Sequence, residues 1–148
     1  MSKLIDDLKG LLDIVDDGKE GYLSASEVVS SLELKELFLR MASQRIGYAN
    51  ELKSLIALHG GSNENESGGI LGLLHKTWVD FKHALSNKED EAILATVESG
   101  EQAALDKYDA VLQDEETHAQ HVNLLQKQRT GILEALKEVE SYRISLER

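Results

Sequence analysis

Three glutamates, Glu51, Glu98 and Glu101, and one Glu-x-x-His pair, Glu115 and His118, are the residues whose types and spacing could hold a hard transition metal. Polar residues at core positions of a helical bundle are informative because burial obliges them to pair or to ligate. Glu51 lies on the Tyr48–Leu55 line and Glu101 on the Val97–Ala104–Tyr108 line, so the two carboxylates are expected to face each other. That is the beginning of a di-iron or di-manganese site, which takes a Glu from each of two helices and a Glu-x-x-His from each of the other two. The inventory stops short, because Ser54 follows Glu51 at the histidine position and Ala104 follows Glu101. Glu115 and His118, with His121 a turn later, fall at a helix start, where acids complement the helix dipole without any metal. Lys19, in the gap between Val15 and Tyr22, and Gln128, on the last helical stripe, supply a metal-free arrangement. In it Lys19 neutralises Glu51 or Glu101, and Gln128 satisfies the remaining oxygens. This polar core, with no cofactor, is the expectation taken forward. Fe or Mn held by Glu51, Glu101 and Glu98 is the alternative.

A second chemistry is suggested by "DDGKEGYLSASE", Asp16 to Glu27. Aligned to a calcium loop, Asp16 takes position 1, Gly21 position 6 and Glu27 position 12. Position 3 is then Gly18, which has no side-chain ligand, and position 5 is Glu20. Tyr22 and Val29 continue the apolar spacing from Val15, so helix is the expected state, with a weak point or kink near Gly18–Gly21. A calcium-binding module using Asp16, Glu20 and Glu27 remains the second alternative.

Four long helical segments must position these groups. The first spans about Lys3 to Val29, with Ile5, Leu8, Leu12, Val15, Tyr22 and Val29 as its stripe. The second opens at "SSLE", where Ser30 and Glu33 fit a capping box, and carries Leu34, Leu37, Met41, Tyr48 and Leu55, flanked by Phe38, Ile46 and Leu52. It stops at "HGG", where Gly60 suits the left-handed cap. The polar loop "GGSNENESGG" leads to a short amphipathic helix, Ile70 to Leu85, carrying Trp78. A helix from about Lys88 to Gln113 follows, with Ser86 and Glu89 as a capping pair. The last starts near Glu115, with His121, Leu125, Gln128, Ile132, Ala135, Val139 and Tyr142 on one face. Helices of ~25 residues are about 40 Å long. Two hairpins of that length pack most simply as an all-α four-helix bundle, up-down-down-up, with the short helix in the crossover.

"LKELFLRMASQ", "ANELKSLIALHGG", "LHKTWVDFK" and "AILATVESGEQAALDKY" follow the "DGKEGY" region in that order. Together, over about Leu4 to Gln128, they resemble a family of small bacterial four-helix-bundle proteins of undefined function in the ferritin-like superfamily. The resemblance implies a ferritin-like bundle, a presumed stress association, and Glu51 and Glu101 as the site acids. Two positions depart from the pattern: Leu136 stands where relatives tend to carry a histidine, and Leu23 where they carry an acid.

Composition bounds the remaining classes. One domain is expected across all 148 residues. Zero cysteines exclude disulfides, thiolate catalysis and Cys-ligated metal. A net charge of −11 opposes nucleic acid and anionic membrane as partners. Two acids interrupt the apolar start of "MSKLIDDLKGLL", so no signal peptide is read there and the cytoplasm is expected. There is no Gly-x-Ser-x-Gly elbow and no phosphate-binding loop. The expected role is non-catalytic, structural or stress-associated. A homodimer is expected, with the Trp78 helix as its apolar patch.

Overall fold

A computed structural model describes residues 2–62, 83, 86 and 89–147. These residues are helical apart from short connections, and no strand occurs among them. Helix α1 spans Ser2–Val28, α2 Leu32–Leu58 and α3 Asp90–Leu112. A single turn, α4 (Glu115–His118), and a 3-10 turn (Ala119–His121) lead into α5, Val122–Leu146. The expected crossover helix Ile70 to Leu85, with Trp78 and the dimer patch placed on it, lies outside the described residues apart from His83.

Contacts fix the helix directions. Tyr22 of α1 stacks on Phe38 of α2, and Ile5 lies beside Gly61 just past the end of α2, so these two helices are antiparallel. Ser30 donates to both carboxylate oxygens of Asp90, and Gly10 faces Lys107, so α3 also runs against α1. Tyr108 bonds Gln128 while Glu98 bonds Arg143, so α5 runs against α3. Helices α1 and α5 therefore run one way, and α2 and α3 the other.

The helix ends follow their local chemistry. Ser31, one residue beyond the expected cap Ser30, sits extended at the N-cap of α2 and accepts from the Leu34 amide at 3.1 Å. Ser30 instead ties the α1–α2 turn to the start of α3. Glu89 caps α3 without a side-chain bond, and Ser86 Oγ donates to the His83 carbonyl, so the expected Ser86–Glu89 box does not form. Past the end of α2, Gly60 takes φ +83, where a side chain is disfavoured. Asp114 caps α4 through the Thr117 amide.

The core has two apolar halves. One gathers Leu8, Leu11, Leu12, Leu52, Ile56, Leu105, Leu125 and Ile132. The other gathers Tyr22, Leu34, Phe38, Met41, Ile93, Leu94, Ala135 and Val139. Burying each large apolar side chain stabilises by about 1.5–3 kcal/mol. On every long helix one level separates the halves: Gly18 on α1, Arg45 on α2, Glu101 on α3 and the turn between Ile132 and Ala135 on α5.

Helix α1 is unbroken through Asp16–Glu27, as the apolar spacing implied, and this tells against the calcium-loop alternative. A helix rises 1.5 Å per residue and points successive side chains apart, so it cannot wrap ligands around one ion as a calcium loop does. It does crowd acids together. Partial burial, reinforced by the charges of Asp13, Asp16 and Glu20, pushes the Asp17 carboxyl up to about 7. A raised folded-state value means a contribution fully present below the ordinary aspartate value and lost as pH rises through about 7. We therefore expect Asp17→Asn to gain stability over the native chain at about pH 8 and to gain little at about pH 4. Urea unfolding of both proteins at the two pH values checks this.

Candidate functional site

The polar level between the apolar halves is built on one ion pair. Arg45 Nη1 donates to Glu101 Oε1 at 2.7 Å and Nη2 to Oε2 at 2.5 Å, a bidentate fork. Both side chains are almost wholly buried, at 1% and 4% exposure. Tyr22 from α1 donates its hydroxyl to Glu101 Oε2 at 2.6 Å, and its ring lies 5.5 Å from the Arg45 guanidinium carbon, within cation–π range. Arg45 Nε donates to Gln44 Oε1 at 3.0 Å, and Gln44 Nε2 reaches the Gly131 carbonyl of α5 at 3.4 Å. The chain Tyr22–Glu101–Arg45–Gln44–Gly131 thus links all four long helices.

Electrostatics fix the charge states of this chain. Burial works to lower the Arg45 value, but the charge of Glu101 and its hydrogen bonds raise it further, so the guanidinium is held more firmly protonated than usual. Burial, then the Glu101 charge, pushes the Tyr22 hydroxyl well above its ordinary value, so it remains a donor. The pair is self-neutralising, and Glu101 accepts three hydrogen bonds on two oxygens.

The remaining predicted residues are dispersed. Gln128 is buried; it accepts from the Tyr108 hydroxyl at 2.6 Å and donates to Glu51 Oε1 at 3.1 Å and to the Tyr48 carbonyl at 3.3 Å. Glu51 itself is exposed, on the outer side of that bond. Glu98 is paired with Arg143 of α5 through two hydrogen bonds. Lys19 does not reach the core: it is partly exposed and lies near Asp16 and Glu20. The cation expected there is Arg45, and the level Lys19 was expected to fill belongs to Gly18.

Gly18 is the space the guanidinium needs. A Cβ at that position would stand 2.8 Å from Arg45 Nη1, closer than real Cβ atoms approach. The sequence signal for Arg45 was its place on the line Met41–Arg45–Ala49–Leu52–Ile56, all of which are buried. The expected line through Tyr48, Glu51 and Leu55 is rotated by one residue, roughly 100° around the helix. That rotation exchanges Glu51 for Arg45 inside the bundle and leaves Ile46 exposed.

These residues do not fit a di-metal centre. Both Glu101 oxygens are taken by Arg45 and Tyr22, a guanidinium stands beside them, and Glu51 and Glu98 have other partners. Among the described residues no three His, Asp or Glu side chains gather in a way that could hold a metal ion.

The profile of a family described as a domain of unknown function (DUF2383) matches residues 3–114. The chain belongs to that family. The DUF2383 span contains Gly18, Tyr22, Gln44, Arg45 and Glu101, so the ion pair and both its anchors lie within the family's domain. Helix α5, which supplies Gln128, Gly131 and Arg143, follows the matched span. No curated protein matches the chain.

Breaking a buried pair from one side strands a charge and costs about 3–5 kcal/mol, whereas replacing the whole group by apolar residues is often neutral. Arg45→Met and Glu101→Gln are each expected to lose stability on that scale in urea unfolding. The triple variant Tyr22→Phe/Arg45→Met/Glu101→Met is expected to recover most of it. Single losses below about 1 kcal/mol would show that the pair is solvated. Glycine to alanine inside a helix normally gains about 1 kcal/mol. Gly47→Ala, with open space around its Cβ, is expected to follow that rule. Gly18→Ala is expected to reverse it and lower the unfolding midpoint.

Proposed function

We propose that this chain is a ferritin-like bundle whose interior ion pair takes the structural place of a di-metal centre, and that its role is non-catalytic. The observation that carries this reading is the double engagement of Glu101. A carboxylate that accepts three hydrogen bonds from a guanidinium and a phenol keeps one of about four lone-pair sites, and the fixed positive charge beside it repels a metal cation. The up-down-down-up helix order is compatible with the ferritin-like arrangement. The stress association and the bacterial origin are carried over from the family resemblance described above. Among the described residues no helix is long and apolar enough to cross a membrane.

In this reading Tyr22, Arg45 and Glu101 act as a specificity device for the fold. A polar level that closes only when four helices share one register disfavours slipped packings. The surface, rather than the interior, then carries any recognition.

Oxygen uptake after aerobic Fe(II) addition tests the proposal. We expect consumption no faster than in a protein-free blank, and no difference between the native chain and a folded Glu101→Gln variant. Protein-dependent consumption that disappears in Glu101→Gln would restore the metal-dependent oxidase or metal-storage reading.

A further inference from the structure

The bundle end opposite Tyr22 gathers three imidazoles that neither the ion pair nor the apolar core uses. His59 is the C-cap of α2, held there by its amide on the Leu55 and Ile56 carbonyls. His121 closes the 3-10 turn that leads into α5. They are 62 residues apart in sequence, yet their Nε2 atoms stand 2.8 Å from each other, a hydrogen bond in which one ring donates its N–H to the bare nitrogen of the other. Both rings are partly exposed. His118 is buried, with Nε2 bonded to Asp7 Oδ2 of α1 at 2.8 Å and Nδ1 enclosed without a hydrogen-bond partner.

We propose that this end is an acid-sensitive clasp, in which the His59–His121 bond ties the end of α2 to the start of α5 at neutral pH and protonation of both rings releases it. An N–H···N bond needs one bare nitrogen. With a second proton on each ring every ring nitrogen is a donor, so the contact has no acceptor and sets two positive charges against each other. Release also lets water reach the enclosed Nδ1 of His118, which has no partner in the closed end whether or not it carries a proton.

The surrounding charges do not neutralise a doubly protonated pair. On α1, Asp7 is engaged by His118 and by Lys3. Between α3 and α4, Asp114 is engaged by Lys3 and by Thr117. Neither carboxylate bonds His59 or His121, and Lys3 adds positive charge. Burial, then the charges of His59 and His118, lowers the His121 value. A lowered folded-state value gives stability that is present above the ordinary histidine value and lost as pH falls below it. Asp17 acts with the opposite sign, gaining stability in acid, so the clasp is read locally rather than from global unfolding.

The test is native-state hydrogen exchange of the full chain at about pH 7.5 and about pH 5.5, which brackets histidine titration. The readout is the protection factors of the His59, Gly60 and Gly61 amides, which bond back into α2. We expect protection there to fall at least about tenfold in acid, while the amides around Arg45 and Glu101 keep theirs. Glutamine offers an oxygen acceptor that takes no proton, so a protonated partner ring can still donate to it. His121→Gln and His59→Gln are therefore each expected to keep their protection at both pH values. In the native chain, nitrogen-15 NMR should show a coupling between the two Nε2 atoms across the bond at neutral pH, absent in acid. Equal protection of the native chain at the two pH values, an Nε2–Nε2 coupling that survives in acid, or the same acid loss in either glutamine variant would overturn the clasp.

Discussion

A charge placed inside an apolar bundle has to be neutralised where it stands, and the Arg45–Glu101 pair is the constraint from which the rest of this structure follows. Taking two ions out of water costs several kcal/mol each, and only near-ideal geometry offsets that. The geometry here is bidentate, with a phenol on the second carboxylate oxygen and an amide on the guanidinium Nε. Satisfying it fixes the rotation of α2 and α3 about their own axes. It also requires Gly18 on α1, because any side chain there would occupy the space of the guanidinium. The apolar halves above and below then close around a register already set.

In the reading proposed above, the same constraint separates this interior from that of a metalloprotein built on similar helices. A carboxylate in a bundle interior needs a positive partner, and either a metal ion or an arginine serves electrostatically. Only the metal leaves open coordination positions at which chemistry can occur. A guanidinium has donors alone, stays protonated, and offers nothing to a substrate. The interior is accordingly suited to holding the fold, and the polar residues that remain adaptable lie at the helix ends and on the surface.

Much of this was legible in the sequence. Long unbroken stripes gave the four helices, and the stripes of α3 and α5 placed Glu101 and Gln128 in the interior, where they are buried. The stripe of α2 was read in phase through Leu34, Leu37, Phe38 and Met41, which are buried, and one residue out of phase beyond them. Tyr48 and Leu55 are large and partly buried, and they outweighed the small Ala42 and Ala49 that actually face the core. An arginine is also expected on the surface, so nothing local marked Arg45 as internal. On α1 the decisive residue was an absence of side chain: Gly18 was read as a weak point in the helix, when its meaning lay in the neighbour it admits. The contact of His59 with His121, whose Nε2 atoms stand 2.8 Å apart, depends on how two helix ends meet, which no spacing along one chain encodes.

The central claim is that Arg45 is locked and dry. Nitrogen-15 NMR of its guanidinium tests this directly. A side chain held by two carboxylate bonds away from water should show separate Nη1 and Nη2 proton resonances that exchange slowly with solvent. The account predicts resolved, protected signals at neutral pH that are insensitive to added salt. A single averaged signal exchanging rapidly with water, as surface arginines give, would contradict it.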